Sequence, residues 1–188
     1  MNTNVDFTFP HRFACEVLDE LPGAPVARQI AFPGDKPGGQ DGVIVHVRPE
    51  SADPWIGLFA FGRIGEGGAS CVLSMPDPDK LCVVARGAGY VVSASVPGIW
   101  EAVRAVPVID VRAIPAAGLV VFANYTEMLA YDLSGVRWRT RRLAWDGFKV
   151  VAVGEQVIAG EYWDIRDDAM RTFEVDLETG AARGGVES

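Results

Sequence analysis

No stretch of this chain stays apolar for long: short runs rich in Val, Ile and aromatic residues are cut repeatedly by Gly, Pro and Asp. Breaks such as Pro33-Gly34-Asp35, Gly65-Glu66-Gly67-Gly68, Pro97-Gly98, Ser134-Gly135 and Asp146-Gly147 leave room for strands and almost none for helices. Candidate strands in the first half are Phe13–Val17, Val26–Phe32, Val43–Arg48, Trp55–Phe61, Ser70–Met75, Leu81–Ala85 and Tyr90–Ala94. The second half adds Val106–Arg112, Leu119–Ala123, Glu127–Asp132, Val136–Arg142, Lys149–Val153, Val157–Glu161 and Arg171–Asp176. Helical turns are expected only at Trp100–Ala105 and Asp19–Gly23, where Pro107 and Pro22 limit them. The expected fold is all-β, in antiparallel meanders arranged as propeller-like blades or as a two-sheet sandwich. With 188 residues the chain suits a single domain, 1–188, with a sizeable core.

Alternation assigns faces. In Val136-Arg137-Trp138-Arg139-Thr140-Arg141 every second residue is Arg, so a regular strand puts three guanidinia on one face and Val136 and Trp138 on the core face. Val43-Ile44-Val45-His46-Val47-Arg48 sorts the same way, with Ile44, His46 and Arg48 together. Gly118-Leu119-Val120-Val121-Phe122-Ala123 is apolar on both faces and belongs inside a packed sheet system.

The second half also echoes itself. The stretch 119–138 aligns with 157–180, carrying Asp132 onto Asp176, 44 residues on. Val83-Val84-Ala85 with Tyr90 and Trp100 reads as a fainter earlier copy. Such a period fits a four-stranded propeller blade: a buried strand, a strand ending in Asp, then a Gly turn into an outer strand.

Ala130-Tyr131-Asp132-Leu133-Ser134-Gly135 with Trp138, and Val175-Asp176-Leu177-Glu178-Thr179-Gly180, resemble the blade motif of quinoprotein-type β-propellers, where Ala-x-Asp-x-x-Thr-Gly precedes Trp. The resemblance implies stacked blades. It departs at Trp138, which follows its Gly early, and in the second copy, which has no Trp there. Nothing matches a quinone site, so the resemblance implies no cofactor. Leu143-Ala144-Trp145-Asp146-Gly147 and the closing Phe173-to-Gly185 segment are similar to uncharacterised bacterial all-β proteins, a likeness that supplies no activity.

Charge and composition narrow the function. Lys and Arg number 17 against 25 Asp and Glu, a net charge of −8, which argues against wholesale binding to nucleic acid or to an anionic membrane. Met1 to Asp6 has no basic or long apolar leader character, and no run approaches the ~20 apolar residues of a bilayer span, so a soluble, cytoplasmic protein is expected. Cys15, Cys71 and Cys82, each in an apolar stretch, read as buried thiols, with Cys71 and Cys82 flanking one turn.

Most catalytic schemes lack their residues. His11 and His46 are the only histidines, neither in a metal-ligand spacing, and read as surface and half-exposed positions. There is no nucleophile elbow, and no phosphate loop follows the glycines at 65–68 or at 87 and 89. Asp77 and Asp79, and Asp164, Asp167 and Asp168, could offer carboxylates to a hard cation or a sugar, but neither cluster has the order of a calcium loop and solvated hairpin loops account for them better.

The charge segregation is the most suggestive feature. Arg137, Arg139, Arg141, Arg142 and Lys149 crowd 134–149, while 150–188 is strongly acidic. The arginines either pair with the acidic hairpin beside them or offer bidentate forks to a carboxylate- or phosphate-bearing partner. Among Trp55, Trp100, Trp138, Trp145 and Trp163, the last two of which precede Asp at turns, Trp145 and Trp163 are expected to show an edge to solvent. The first reading is a non-enzymatic β-scaffold that binds a protein partner or its own copy through Arg137, Arg139, Arg141, Trp145 and Trp163. The alternative is a hydrolase or glycan-binding protein using Asp77, Asp79, Asp164 or Asp168 around a metal or sugar. A third is a degenerate propeller kept as an assembly part.

Overall fold

The short, interrupted β runs pair mostly with their sequence neighbours. The computed structural model describes residues 3–23, 28–34, 41–63 and 67–186. The start of the strand expected at Val26–Phe32 and parts of the turns expected at 33–35 and 65–68 lie outside the described residues. The chain forms two units, Met1–Val108 and Ile109–Ser188, each with its own sheets.

In the first unit, one sheet joins β2 (Phe13–Leu18), β4 (Gly42–Pro49), β5 (Trp55–Ala60) and β3 (Arg28–Phe32) in the order β2-β4-β5-β3. The other joins β1 (Asn4–Asp6), β6 (Cys71–Ser74), β7 (Lys80–Ala85), β8 (Ala88–Ser93) and β9 (Trp100–Ala102) in the order β1-β6-β7-β8-β9. The ladders are antiparallel except at β1–β6 and β3–β5, where an edge strand adds in parallel. The alternation read from sequence decides the faces: Val43, Val45 and Val47 are buried while Ile44, His46 and Arg48 line the other side. The two sheets close over Phe13, Phe32, Trp55, Phe59, Leu81, Val83, Tyr90 and Val92. Phe32 stacks on Phe59 at 4.6 Å, and the buried Trp55 indole donates to the Ala94 carbonyl at 2.7 Å. Burying each such side chain contributes about 1.5–3 kcal/mol.

Two local expectations are corrected. Trp100–Ala105 holds no helical turn: Pro97-Gly98 folds the chain back, and Trp100, Glu101 and Ala102 find ladder partners in Val92, Val91 and Tyr90. Asp19–Gly23 has no helix either. Among the described residues the one helical segment is the 3-10 turn Pro115–Ala117, closed by Gly118 in the left-handed region.

The second unit is two up-and-down meanders, the strand order of a propeller blade. One runs β10 (Asp110–Ile114), β11 (Leu119–Ala123), β12 (Met128–Asp132), β13 (Gly135–Arg139). The other runs β14 (Phe148–Val153), β15 (Val157–Asp164), β16 (Ala169–Asp176), β17 (Ala182–Gly184). They share a core of Leu119, Val121, Met128, Ala130 and Trp138 against Ile158, Tyr162, Phe173 and Val175, with Leu143 and Ala144 between. Face-to-face packing of this kind is common to a pair of blades and to a sandwich. As its composition requires, β11 is buried on both faces.

One contact ties the Trp of the first meander to the Gly turn of the second. Trp138 of β13 lies across Gly180, in the turn that follows β16, and its indole donates to the Leu177 carbonyl at 2.8 Å. A Cβ on Gly180 would sit 2.7 Å from that ring, and its φ of +71° is one that other residues adopt only at a cost. The turn is braced from within, because Asp176 accepts from the Thr179 hydroxyl and from the backbone N–H groups of Glu178 and Thr179.

Candidate functional site

β13 departs from the expected row of guanidinia. Trp138 pairs with Ala130 and Val136 with Tyr131, so Arg137 is the extra residue of a β-bulge. A one-residue slip exchanges faces. Val136 is therefore 54% exposed instead of packed beside Trp138, and Arg137 does not continue the line of Arg139. Arg141 lies beyond the end of the strand.

Each arginine of the expected row has internal company. Arg137 approaches Asp132 at 3.9 Å. Arg139 forks onto Glu127, at 2.8 Å through Nε and 2.5 Å through Nη2. Arg141 donates to the carbonyls of Val186 at 2.6 Å and Gly184 at 2.5 Å. Arg141 reaches the C-terminal segment through backbone oxygens.

Two arginines outside the expected contact set, Arg142 from the same basic cluster and Arg166, behave differently. The guanidinium of Arg142 lies 5.4 Å from the Trp145 ring centre and that of Arg166 lies 5.3 Å from it. Ion pairs among the described residues involve Arg48, Lys80, Arg112, Arg137, Arg139 and Arg171, and neither Arg142 nor Arg166 is in one. Trp145 is half-buried and lines a cleft of about 330 Å³ with Tyr162, Asp164, Arg166, Asp167 and Gly185. Burial, then the neighbouring Asp164 carboxylate, pushes the Tyr162 phenol up.

Next to that cleft stands an apolar patch on the β15–β16 hairpin. Trp163 and Met170 are directly opposed across the ladder, 48% and 53% exposed, and Ile165 in the connecting turn is 65% exposed. The outward edge expected of Trp145 and Trp163 is present, whereas Trp55 and Trp138 are core. Met170 carried no sequence signal of its own, because an exposed apolar residue in a strand reads as a core residue until its register is known; Ile165 falls in the turn between β15 and β16.

The carboxylates raised by the alternative reading are occupied in turns. Asp79 accepts from Ser93 Oγ at 2.6 Å, Ser95 Oγ at 2.7 Å and the Ser95 N–H at 3.1 Å. Asp77 accepts the Asp79 N–H and lies 3.5 Å from Lys80. Asp164 accepts the Arg166 N–H, Asp167 pairs with Arg171, and Asp168 sits in the turn with a φ of 52°. Among the described residues no three His, Cys, Asp or Glu side chains are grouped to hold a metal ion. A larger cleft in the second unit, about 480 Å³, is lined by Asp132, Arg137, Glu155, Gln156, Asp176 and Glu178. It lies where the two blade turns that end in Asp132 and Asp176 approach each other.

The histidines and cysteines have local contacts or buried positions. His46 Nδ1 is 3.0 Å from an Arg48 guanidinium nitrogen on the outer side of β4. His11 is not a bare surface residue: it is half-buried between Phe7 and Phe13, with Nδ1 2.9 Å from the Phe9 carbonyl. Cys71 and Cys82 occupy paired strands but oppose Val84 and Leu73 rather than each other. Burial pushes the Cys15 thiol up to about 12 and the Cys82 thiol well above its ordinary value. No described helix is long and apolar enough to cross a membrane.

No protein-family model and no curated protein matches this chain. Among solved structures it is similar to the N-terminal domain of Nup159, at 13% identity and a TM-score of 0.41 over 100% of this chain and 54% of that one. It is also similar to a chain from the S. cerevisiae complex of a Dbp5 variant with Nup159, a Gle1 variant, IP6 and ADP, at 12% identity and a TM-score of 0.39, covering 92% of this chain and 49% of that one. The chain thus spans about half the length of the solved chains it resembles.

Proposed function

We propose that this chain is a non-enzymatic β-scaffold whose second unit holds a protein partner at the β15–β16 hairpin. The observation that carries this reading is the cross-strand pair Trp163–Met170, half exposed, with the more exposed Ile165 at the turn and half-buried Trp145 in the adjoining cleft. Keeping apolar area in water forgoes about 25 cal/mol per Å². Aromatic and thioether side chains fixed on a rigid ladder are the kind that anchor interfaces, since little freedom is left for them to lose on binding. Arg137 lies apart, in the cleft with Asp132 and Asp176, while Trp145 and Trp163 are contact residues in this reading. Arg139 and Arg141 act beside them, bracing the end of β13 and the closing segment through Glu127 and the 184 and 186 carbonyls.

The test is cross-linked capture from lysate with three forms of the full chain: wild type, Trp163→Ala/Met170→Ala, and Val96→Ala/Ile99→Ala. The last pair removes exposed apolar side chains from the first unit instead. Wild type and the first-unit variant should retain the same proteins, and the hairpin variant should lose them while melting as the wild type does. Sedimentation equilibrium on the same forms identifies the partner as a second copy if a dimer disappears only with the hairpin variant. Equal recovery and equal mass for all three forms would rule the hairpin out as an interface.

A further inference from the structure

We infer that the Arg142–Trp145–Arg166 cluster is a carboxylate-recognition site, which reads an acidic side chain on an otherwise apolar segment of the partner; this rests on the hairpin reading above. A guanidinium offers five N–H donors in one plane, and laying that plane near an aromatic ring satisfies its face while leaving the in-plane fork open. Arg142 and Arg166 are both exposed, each within 5.4 Å of the Trp145 ring centre, and in no ion pair among the described residues. Glu127 already fills the fork of Arg139, and two carbonyls take Arg141, so those side chains have less to offer an oxyanion.

The surroundings select the anion. Asp164 and Asp167 line the same cleft and offset the guanidinia, so a second negative charge gains little net attraction there while a phosphate dianion costs more to desolvate than a carboxylate. Asp167 is itself paired with Arg171, while Arg166 lines the cleft wall and Arg142 lies beside it against the same Trp145 ring, neither in an ion pair among the described residues. Trp163, Met170 and Ile165 flank the site and suit apolar neighbours of that carboxylate. A fork-to-carboxylate pair is both charge-assisted and directional, so it fixes how the segment lies on the patch.

The experiment is selection of a phage-displayed random dodecapeptide library on the full chain, followed by fluorescence anisotropy with the best peptide synthesised in four forms. These carry the selected acid, or Gln, phosphoserine or Arg in its place. Enriched peptides should carry Asp or Glu among apolar residues. The Gln form and the Arg142→Ala/Arg166→Ala variant should each weaken binding at least tenfold, and Arg142→Lys/Arg166→Lys should recover only part of it, because ammonium keeps the charge but loses the fork and the stacking. Circular dichroism of each variant verifies folding. Enrichment of basic or purely apolar peptides, no enrichment, tighter binding of the phosphoserine form, or binding indifferent to both arginines would overturn the inference. The Trp163→Ala/Met170→Ala variant separates the two claims. If it abolishes peptide binding while the arginine variants do not, the hairpin interface stands and the carboxylate site falls; if it leaves binding intact, the interface falls as well.

Discussion

Gly180→Ala should expose the contact that joins the two sheets of the second unit, and the cost can be worked in two parts. Holding alanine at a φ of +71° costs about 1 kcal/mol, because only glycine adopts that region freely. The new methyl also falls 2.7 Å from the Trp138 ring, with backbone on one side and a buried indole on the other, an overpacking that costs about 1–3 kcal/mol. The sum is about 2–4 kcal/mol, a large share of a stability that is ordinarily 5–15 kcal/mol. Trp138→Leu removes the ring and leaves the Leu177 carbonyl without its 2.8 Å donor, for about 2–4 kcal/mol of its own. In that background the clash is gone, so Gly180→Ala should cost only the conformational part, about 1 kcal/mol. The readout is urea unfolding of wild type, both single variants and the double variant, with the slope verified as constant. A coupling of about 1–3 kcal/mol is expected. If Gly180→Ala costs the same with and without the indole, the close approach of turn and ring is not what the glycine is for.

Three other outcomes follow from single contacts. Asp79→Ala removes the acceptor for three donors on the 93–95 turn and should destabilise by about 2–4 kcal/mol in urea, while calcium or magnesium leaves wild-type melting unmoved; a melting shift on adding either ion would revive the metal reading. The hydroxyl and then the N–H of Thr179 hold the Asp176 carboxyl below its ordinary value. A depressed folded-state pKa contributes stability that is present above the unfolded value, about 3.9, and is lost as pH falls through the folded one, so Thr179→Val should flatten the acid limb of stability against pH, and an unchanged limb would refute the assignment. With the Cys15 thiol pushed up to about 12 and Cys71 and Cys82 buried, intact-mass analysis should find native protein unalkylated by iodoacetamide at mildly alkaline pH until urea is added; rapid labelling of the folded chain would contradict their placement.

Most of the sheet architecture was legible because it depends on alternation and turns, which are local. Val43-Ile44-Val45-His46-Val47-Arg48 can bury only one set of side chains, and β4 buries that set. Asp132 and Asp176 each close a strand before a Gly turn, and both do so in the fold, each accepting from the backbone two residues on. The misses are non-local. Trp100–Ala102 resembles a helical turn until Val92 and Tyr90 are beside it to supply a ladder. The very short edge strands Asn4–Asp6 and Ala182–Gly184 have too few residues to show a period, and exist because β6 and β16 leave an edge to fill.

The site shows the same boundary more sharply. A row of alternating arginines is a surface feature only while the register is regular, and one bulged residue, Arg137, is enough to undo it. What decides whether a guanidinium can serve a partner is which of its donors the fold has already used, and that is set by its neighbours in the fold: Glu127 for Arg139, the 184 and 186 carbonyls for Arg141, and the Trp145 ring beside both Arg142 and Arg166. Composition shows where the positive charge crowds, at 134–149, and not which of its donors are used. The choice between an arginine that braces the scaffold and one that is open to a ligand belongs to the hydrogen-bond inventory of each side chain, so substitutions should be read accordingly. Arg139→Ala should lower stability by releasing Glu127 and a strand end, whereas Arg142→Ala and Arg166→Ala should leave melting nearly unchanged and act on binding.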